Sequence, residues 1–271
     1  MWGARHVTVR FGSTTALDEV GLDLPEGRVT SIVGGDGAGK TTLVRALLRR
    51  VALDGGAVDV PDLTEVGYQP STSGVWPALS VRQNLEFAGV AYGMSAATIR
   101  ERGDELLETA ALTHATSRLG SELSGGMRQK LGFCMAMLHR PRMLLLDEPS
   151  TGVDPVSRVE LWRLVTQAAA RGTAVGMTTT YLDEAERAST VVALDAGTVL
   201  TAGDPTAVVH EVPGTVSATD HRPAGRRTWR RGTAFHTWTP PGETAPGSEI
   251  TPDLEDALIA LSLARTQEDH R

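Results

Sequence analysis

A glycine-rich segment carries the strongest chemical signal in the sequence. It fits the spacing G-x-x-x-x-G-K-[ST] and comprises Gly34, Gly35, Asp36, Gly37, Ala38, Gly39, Lys40 and Thr41, with Thr42 directly after it. Glycines permit positive φ angles and let consecutive backbone N–H groups converge on phosphate oxygens. We therefore expect a phosphate site in which Lys40 binds the β- and γ-phosphates and the Thr41 hydroxyl ligates Mg²⁺.

The scarcity of lysine makes a chance match improbable. Of the 26 basic residues only Lys40 and Lys130 are lysines, and the other 24 are arginines. The motif needs an ammonium group at one defined place, and one of the two lysines occupies that place.

A pair of carboxylates follows a second apolar run. Asp147 and Glu148 come directly after Met143 to Leu146, at the end of a predicted buried strand. Asp147 is placed to hold Mg²⁺ through water, and Glu148 to act as the general base that activates an attacking water. The pair is weak evidence alone and becomes strong beside the glycine loop.

The elements that must position these groups alternate between strands and helices. Val29 to Val33 predicts a buried strand that enters the glycine loop, and Thr41 to Arg50 predicts an amphipathic helix after it. Residues 7 to 24 predict two antiparallel strands, and residues 80 to 138 predict a helical insert. The remaining core elements are a helix over 159–170 and strands over 173–178 and 191–194. The order indicates an α/β fold with a mainly parallel, covered sheet.

A second helix start carries small residues and a hydroxyl at Ser124, Gly125 and Gly126, which again favours an anion cradle. With this motif the chain resembles the ATP-binding subunit of an ABC transporter over residues 5 to 210. In that family the LSGG segment closes over the nucleotide held by a second subunit. The resemblance implies a P-loop ATPase core with an N-terminal antiparallel β subdomain, ATP as ligand, and a dimer with ATP at the interface.

The resemblance also implies further site residues. Phe11 matches the aromatic residue that stacks on adenine, the glycine segment matches Walker A, and Asp147 and Glu148 match Walker B and the catalytic glutamate. Asp154 ends the matching D-loop. The segment 252–259 is similar to the C-terminal helix of the drug and antibiotic efflux branch, whose subunits often pair with six-helix permeases.

Two positions depart from the family pattern. Thr180 stands where the family places a histidine that contacts the γ-phosphate, and a hydroxyl is shorter and cannot become cationic. Ser71 stands where the Q-loop glutamine is usual, and Gln69 could substitute through a local shift. The pattern is similar to the less typical half of asymmetric exporters. Two interpretations stay open: this chain's own nucleotide site hydrolyses ATP slowly, or the changes at Thr180 and Ser71 are tolerated.

Composition excludes several classes of protein. The 271 residues are 41% hydrophobic and include one cysteine, Cys134, which leaves no disulfide framework and fits a reducing compartment. A net charge of −7 argues against a nucleic-acid partner. No apolar run is long enough to span a bilayer, and the first residues do not resemble a signal peptide. These features predict a cytosolic chain, and the resemblance to an ABC transporter subunit implies a peripheral position on the cytoplasmic face of the cell membrane.

The composition changes after residue 210, where we place a domain boundary. Residues 226 to 238 mix arginines with aromatics, which could suit single-stranded nucleic acid, but a hairpin that turns at Arg231 and Gly232 is favoured. A final amphipathic helix is predicted over 252–265. The region 211–271 is therefore expected to be a small C-terminal extension.

The preferred function is an ATP-binding and ATP-hydrolysing subunit that powers export by a separate membrane permease. A regulatory subunit with weak hydrolysis is one alternative. The other is an ABC ATPase of translation or DNA repair, which would usually carry two cassettes or a long coiled-coil insert. The transported substrate is contacted by the permease in this family, so this chain does not reveal it.

Overall fold

The central feature of the computed structural model, which describes residues 1–225 and 227–269, is a six-stranded sheet. Its strand order is β5-β6-β7-β3-β8-β9, with every neighbouring pair parallel except β8 and β9. The bounds are β3 Val29–Val33, β5 Val66–Gln69, β6 Met143–Asp147, β7 Ala174–Thr179, β8 Thr190–Asp195 and β9 Thr198–Gly203.

The three central strands are buried along their whole length. Continuous apolar runs with few charges suit such strands, because both faces of a parallel sheet are covered. Since β3, β6 and β7 are parallel neighbours, their carboxyl ends meet at one edge. The glycine loop, Glu148 and Thr180 therefore begin at the same edge of the sheet.

A smaller antiparallel sheet precedes the core, with strand order β2-β1-β4. Its bounds are β1 Trp2–Phe11, β2 Thr14–Leu24 and β4 Gly55–Asp59. The first two strands confirm the predicted antiparallel pair and turn at Gly12 and Ser13. One hydrophobic cluster joins this sheet to the core through Leu17, Ile32, Leu43 and Leu145.

Eight α-helices lie within the described residues. They are α1 Lys40–Leu47, α2 Val81–Ala91, α3 Ala96–Thr109, α4 Gly125–Met137, α5 Pro155–Ala170, α6 Leu182–Ala185, α7 Pro205–His210 and α8 Leu254–Asp269. Helices α2, α3 and α4 form the helical insert and share one cluster with α5. In the part of the chain described, no helix is long and apolar enough to cross a membrane.

Two helix boundaries differ from the sequence-based expectation. Helix α5 begins at Pro155 rather than Val159, because the Asp154 carboxylate accepts hydrogen bonds from two backbone N–H groups of the first turn and proline suits the first helical position. Helix α1 ends at Leu47, and Arg49 then adopts a φ of 54° that ends the helical path.

The C-terminal region forms a third sheet, with strand order β11-β12-β10-β13. Its bounds are β10 Thr215–Thr219, β11 Thr228–Arg231, β12 Ala234–Thr239 and β13 Ser248–Glu249. Strands β11 and β12 pair as a hairpin around Gly232. Arg226, which the sequence interpretation included in this segment, lies outside the described residues. Strands β10 and β13 were not expected, because a threonine-rich run and a two-residue strand give little periodic signal.

Helix α8 joins this third sheet to the core. Oδ1 of Asp256, in the first turn of this helix, accepts a hydrogen bond from Nε1 of Trp229 at 2.9 Å. The same oxygen lies 2.9 Å from Nδ1 of His236. Leu254 and Leu258 on the same helix pack against Val33 and Ala193 of the core sheet. The extension is therefore held against the strand that leads into the glycine loop.

Candidate functional site

The glycine loop turns tightly between β3 and α1. Gly39, which precedes α1, has a φ of 104°. A Cβ atom at this residue would lie 2.8 Å from the carbonyl oxygen of Ala16, so both the backbone angle and the close approach require glycine. The loop thus presents backbone N–H groups at the start of a helix, which is a favourable place for an anion.

Lys40 lies under this loop. Its Nζ donates to the carbonyl oxygens of Gly34 at 2.8 Å and Gly35 at 3.2 Å, and it lies 3.4 Å from Oε1 of Glu148. Only 5% of the residue is exposed. The carbonyl oxygens of the glycine loop therefore hold the Lys40 ammonium group in place beside the expected phosphate site.

Asp147 ends β6 and is almost fully buried. Its Oδ1 accepts a hydrogen bond from Oγ1 of Thr178 at 2.7 Å and a longer one from Oγ1 of Thr41 at 3.4 Å. A carboxylate beside a threonine hydroxyl is an oxygen donor set of the kind Mg²⁺ prefers. The residues present therefore fit the metal.

Glu148 has a backbone conformation that non-glycine residues rarely adopt. Its φ is 49°, and its N–H donates to Oγ1 of Thr178 at 2.8 Å. Thr151 Oγ1 donates to Oε2 of the same side chain at 3.2 Å. Such an angle is costly for a side chain with a Cβ and persists where the surroundings hold it. Here it directs the carboxylate toward Lys40.

Lys40 and Glu148 line one cleft of about 210 Å³, and the buried Asp147 contacts Thr41 in its wall. The described residues around it are Ala16, Asp36, Gly37, Ala38, Gly39, Lys40, Thr41, Thr42 and Glu148. Gly34, Gly35 and the exposed Thr180 line a second, more apolar cavity of about 430 Å³, which α8 closes on its other side. The structure thus gathers most of the predicted glycine-loop residues, and Thr180 lies on the far side of the loop.

The signature residues do not line the cleft. Ser124 caps α4 by accepting a hydrogen bond from the Met127 N–H at 3.2 Å. A Cβ on Gly126 would lie 2.4 Å from Oγ of Ser157, so this glycine allows α4 to approach α5. Gly125 lies beside the backbone of Gly152. Within one chain, the signature segment therefore packs on the loop that leads into α5.

Asp154 occupies the end of that loop. Its Oδ1 accepts hydrogen bonds from the N–H groups of Val156 at 3.1 Å and Ser157 at 3.0 Å. These backbone bonds, with the one from Ser157 as the largest cause, hold the pKa of Asp154 below its ordinary value. The residue is exposed, so it caps a helix and still faces solvent.

Gln69 differs from its expected role. It ends β5 fully buried, and its Nε2 donates to Oε1 of Gln129 at 2.6 Å and to the Gln129 carbonyl oxygen at 3.0 Å. In this structure the side chain points into the interior and ties β5 to α4, so replacement of the missing Q-loop glutamine by Gln69 would need the predicted local shift of the loop. Ser71 is exposed.

Phe11 ends β1 with 52% of its surface exposed. The stacking of this ring on adenine stays a prediction from the resemblance.

Three residues near the site were missed by the sequence interpretation. Thr178 connects Asp147 with the backbone of Glu148, while the buried Glu184 pairs with the partly buried Arg158 beside Thr179. The run of three threonines before Tyr181 was a usable signal. Successive side chains of a strand point to opposite faces of the sheet. Thr178 and Thr179 at the end of β7 therefore contact different groups, namely Asp147 and Glu184.

Comparison with known proteins agrees with this geometry. Residues 17–151 match the family model described as ABC transporter. The chain is 39% identical over 222 residues to the daunorubicin resistance ATP-binding protein DrrA2 of Streptomyces coeruleorubidus, covering 78% of this chain and 69% of that protein. It is 38% identical over 198 residues to the probable multidrug ABC transporter ATP-binding protein YbhF of Escherichia coli, covering 69% of this chain. The chain spans about a third of the length of YbhF, with 34% of that protein covered.

Solved structures show the same fold. A structure of the ATP-binding subunit of an ABC transporter superposes with a TM-score of 0.71 at 24% identity, covering 78% of this chain and 92% of that one. The dimeric structure of the bacterial ABC transporter cassette MJ0796 superposes with a TM-score of 0.67 at 24% identity, covering 75% and 98%. The chain belongs to the ABC transporter family and is one of its ATP-binding proteins.

Proposed function

We propose that this protein binds ATP in the cleft under the glycine loop and hydrolyses it to drive export through a separate membrane permease. The observation that carries the proposal is the convergence of Lys40, Asp147 and Glu148 at one edge of the parallel sheet, where β3 and β6 end on either side of β7. A phosphate chain in this cleft meets the loop N–H groups and one ammonium group. Glu148 then lies where a carboxylate accepts the proton of an attacking water.

Mg²⁺ is the metal we assign to the site. The Thr41 hydroxyl and the Asp147 carboxylate would hold it, the latter through water. When bound, the ion neutralises charge on the phosphate oxygens. Thr178 keeps the Asp147 carboxylate oriented through its 2.7 Å hydrogen bond.

A second ATP-binding chain is needed to complete the site. Ser124, Gly125 and Gly126 do not line the cleft of their own chain, and N–H groups at the start of a helix have no acceptor within it, so we expect this segment to meet a nucleotide held by a partner. Val156 and Val159, at the start of α5, are 70% and 56% exposed and extend this face. The dimeric cassette described above supports such an arrangement.

The permease is proposed to dock on the helical insert. Trp76 and Phe87 are 53% and 51% exposed, with ring centroids 5.3 Å apart at an interplanar angle of 65°. Val90, one turn further along α2, is 67% exposed. An exposed aromatic group of this kind is typical of a protein contact. The protein would then lie at the cytoplasmic face of the membrane.

Drug or antibiotic export is the proposed branch, because the relatives named above are resistance and multidrug proteins. A regulatory subunit with weak hydrolysis is the second candidate. Thr180 favours it, since this exposed hydroxyl cannot supply the positive charge that a histidine would bring to the γ-phosphate.

The test is co-purification with a six-helix permease followed by ATPase measurement. The proposal expects ATP hydrolysis by the complex and loss of the permease when Phe87 is replaced by Glu, with ATP binding retained. A matched control is Leu63→Glu, since Leu63 is exposed at 43% outside the helical insert. Binding of ATP without hydrolysis in the complex would favour the regulatory alternative, and no binding would refute both.

A further inference from the structure

Glu184 is a buried carboxylate outside the nucleotide cleft. It lies in the short helix α6 with 3% of its surface exposed. Its Oε2 accepts a hydrogen bond from Ser150 Oγ at 2.8 Å and another from Thr179 Oγ1 at 2.7 Å. Its Oε1 accepts from Nε of Arg158 at 3.2 Å. A buried charge with this many partners is fully satisfied and holds one geometry.

The two hydroxyl groups belong to different segments of the site. Ser150 lies two residues after Glu148, in the loop that continues to Asp154. Thr179 is the last residue of β7 and directly precedes Thr180. A single carboxylate oxygen therefore joins the loop that carries the proposed base to the turn that carries the proposed γ-phosphate contact.

Arg158 closes the network from α5. Besides its bond to Glu184, it donates to both carboxylate oxygens of Asp183, at 2.8 and 2.9 Å, and its guanidinium lies 3.9 Å from the ring centroid of Tyr181. The charge of Glu184 is thus compensated by Arg158 of α5, the helix that Asp154 caps. Arg158 therefore links the first turns of α5 to the segment after β7.

We propose that Glu184 is a positioning residue that couples the loop 148–154 to the turn at Thr180. The inference rests on the proposed ATP site. When a second chain presses on the exposed end of that loop, Glu184 makes the Thr180 turn move with it. The base and the γ-phosphate contact then reach their working positions together.

The decisive measurement is hydrogen–deuterium exchange of the full chain with and without the non-hydrolysable analogue AMP-PNP. In the wild type, we expect nucleotide to slow exchange in both 148–154 and 179–187. Ser150→Ala and Thr179→Val each remove one hydroxyl. In these variants AMP-PNP should still slow exchange in 148–154 but should slow it much less in 179–187. Glu184→Ala should show the same separation. The matched control is Asp183→Asn, which removes the exposed partner of the same arginine and should respond as the wild type does.

Kinetics supply a second reading. In the permease complex, Ser150→Ala and Thr179→Val should lower kcat with little change in KM, and a misplacement of this kind costs on the order of 10²-fold in rate. The inference would be overturned if AMP-PNP slowed exchange in both segments of every variant as it does in the wild type. It would also be overturned if AMP-PNP slowed exchange in only one of the two segments of the wild type. A wild type that binds AMP-PNP without hydrolysing ATP would refute the proposed ATPase activity, while the exchange data would still decide the coupling.

Discussion

Nζ of Lys40 lies 3.4 Å from Oε1 of Glu148. The cation expected on the phosphates and the carboxylate expected to activate water therefore form an ion pair across the cleft. A triphosphate brings several negative charges to the same ammonium group and competes for it. Binding of nucleotide should thus loosen Glu148 from Lys40 and leave its carboxylate available to water.

Replacement of Lys40 by Ala should abolish ATP binding. The change removes the ammonium group that the loop carbonyls hold in place and leaves phosphate charge uncompensated. Equilibrium binding of a fluorescent ATP analogue measures the effect. Lys130→Ala is the control, because Lys130 is the other lysine of the chain and pairs with Glu160 at 2.8 Å between α4 and α5. Unchanged affinity in Lys40→Ala would remove the phosphate role.

Replacement of Glu148 by Gln should retain ATP binding and trap the nucleotide. The amide keeps the shape of the side chain and loses its basicity, and loss of a general base typically costs about 10²- to 10⁴-fold in rate. Hydrolysis by the assembled transporter is the measurement, with Glu160→Gln as the control on a glutamate outside the cleft. Wild-type turnover in Glu148→Gln would show that another group is the base.

Local spacing predicts the core of the proposed site, and the structure places its main residues near one another. Lys40 follows a strand and glycine loop whose chemistry is contained in nine consecutive residues, and Asp147 follows an apolar run directly. Such signals are visible because the ligand contacts come from one short segment each. The parallel sheet then brings the segments together, as alternation of strands and helices indicates.

Contacts between distant segments were not predictable in this way. Gln69 is polar and adjacent to the Q-loop position, yet its partner Gln129 lies 60 residues further along the chain. Glu184 likewise pairs with Ser150 across 34 residues. No periodicity links such positions, because the contact depends on how two packed elements face each other.

His139 should make the free energy of unfolding depend on pH. His139 stacks on Tyr92 with ring centroids 3.6 Å apart, and burial lowers its pKa to about 4. The folded state therefore keeps the ring neutral, while the unfolded chain takes up a proton below its ordinary pKa of about 6.5. Stability is complete above pH 6.5 and is lost as the pH falls toward 4, by about 1–2 kcal/mol after allowance for solvent screening of a partly exposed ring.

The test of that pH dependence is the variant His139→Phe, which keeps an aromatic ring against Tyr92 and removes the titration. Thermal unfolding at pH 5 and pH 7.5 should show a smaller difference in Tm for the variant than for the wild type. His114, on the helical insert, gives a control as His114→Phe. An equal difference in wild type and His139→Phe would assign the acid sensitivity to other groups.

The last prediction concerns the partner chain. In a homodimer both nucleotide sites would carry Thr180 in place of a histidine, and the buried Gln69 gives neither site a substitute for the residue missing at Ser71. In a heterodimer, the intact Ser124-Gly125-Gly126 segment would complete the partner's site, and this chain's own site would mostly hold nucleotide. A preorganised contact to developing charge is worth roughly 10²- to 10³-fold in rate.

We therefore expect the chain purified with its permease alone to hydrolyse ATP slowly and Thr180→His to raise kcat. Thr180→Asn, which adds a polar side chain that cannot become cationic, is the control and should give a smaller gain. Because Thr180 lines the cavity closed by α8, Tm is measured for each variant so that a loss of packing is separated from a change in chemistry. Brisk hydrolysis by the unmodified homodimer, with no gain from the histidine, would refute the asymmetric arrangement and leave Thr180 as a residue that contacts the phosphate through water.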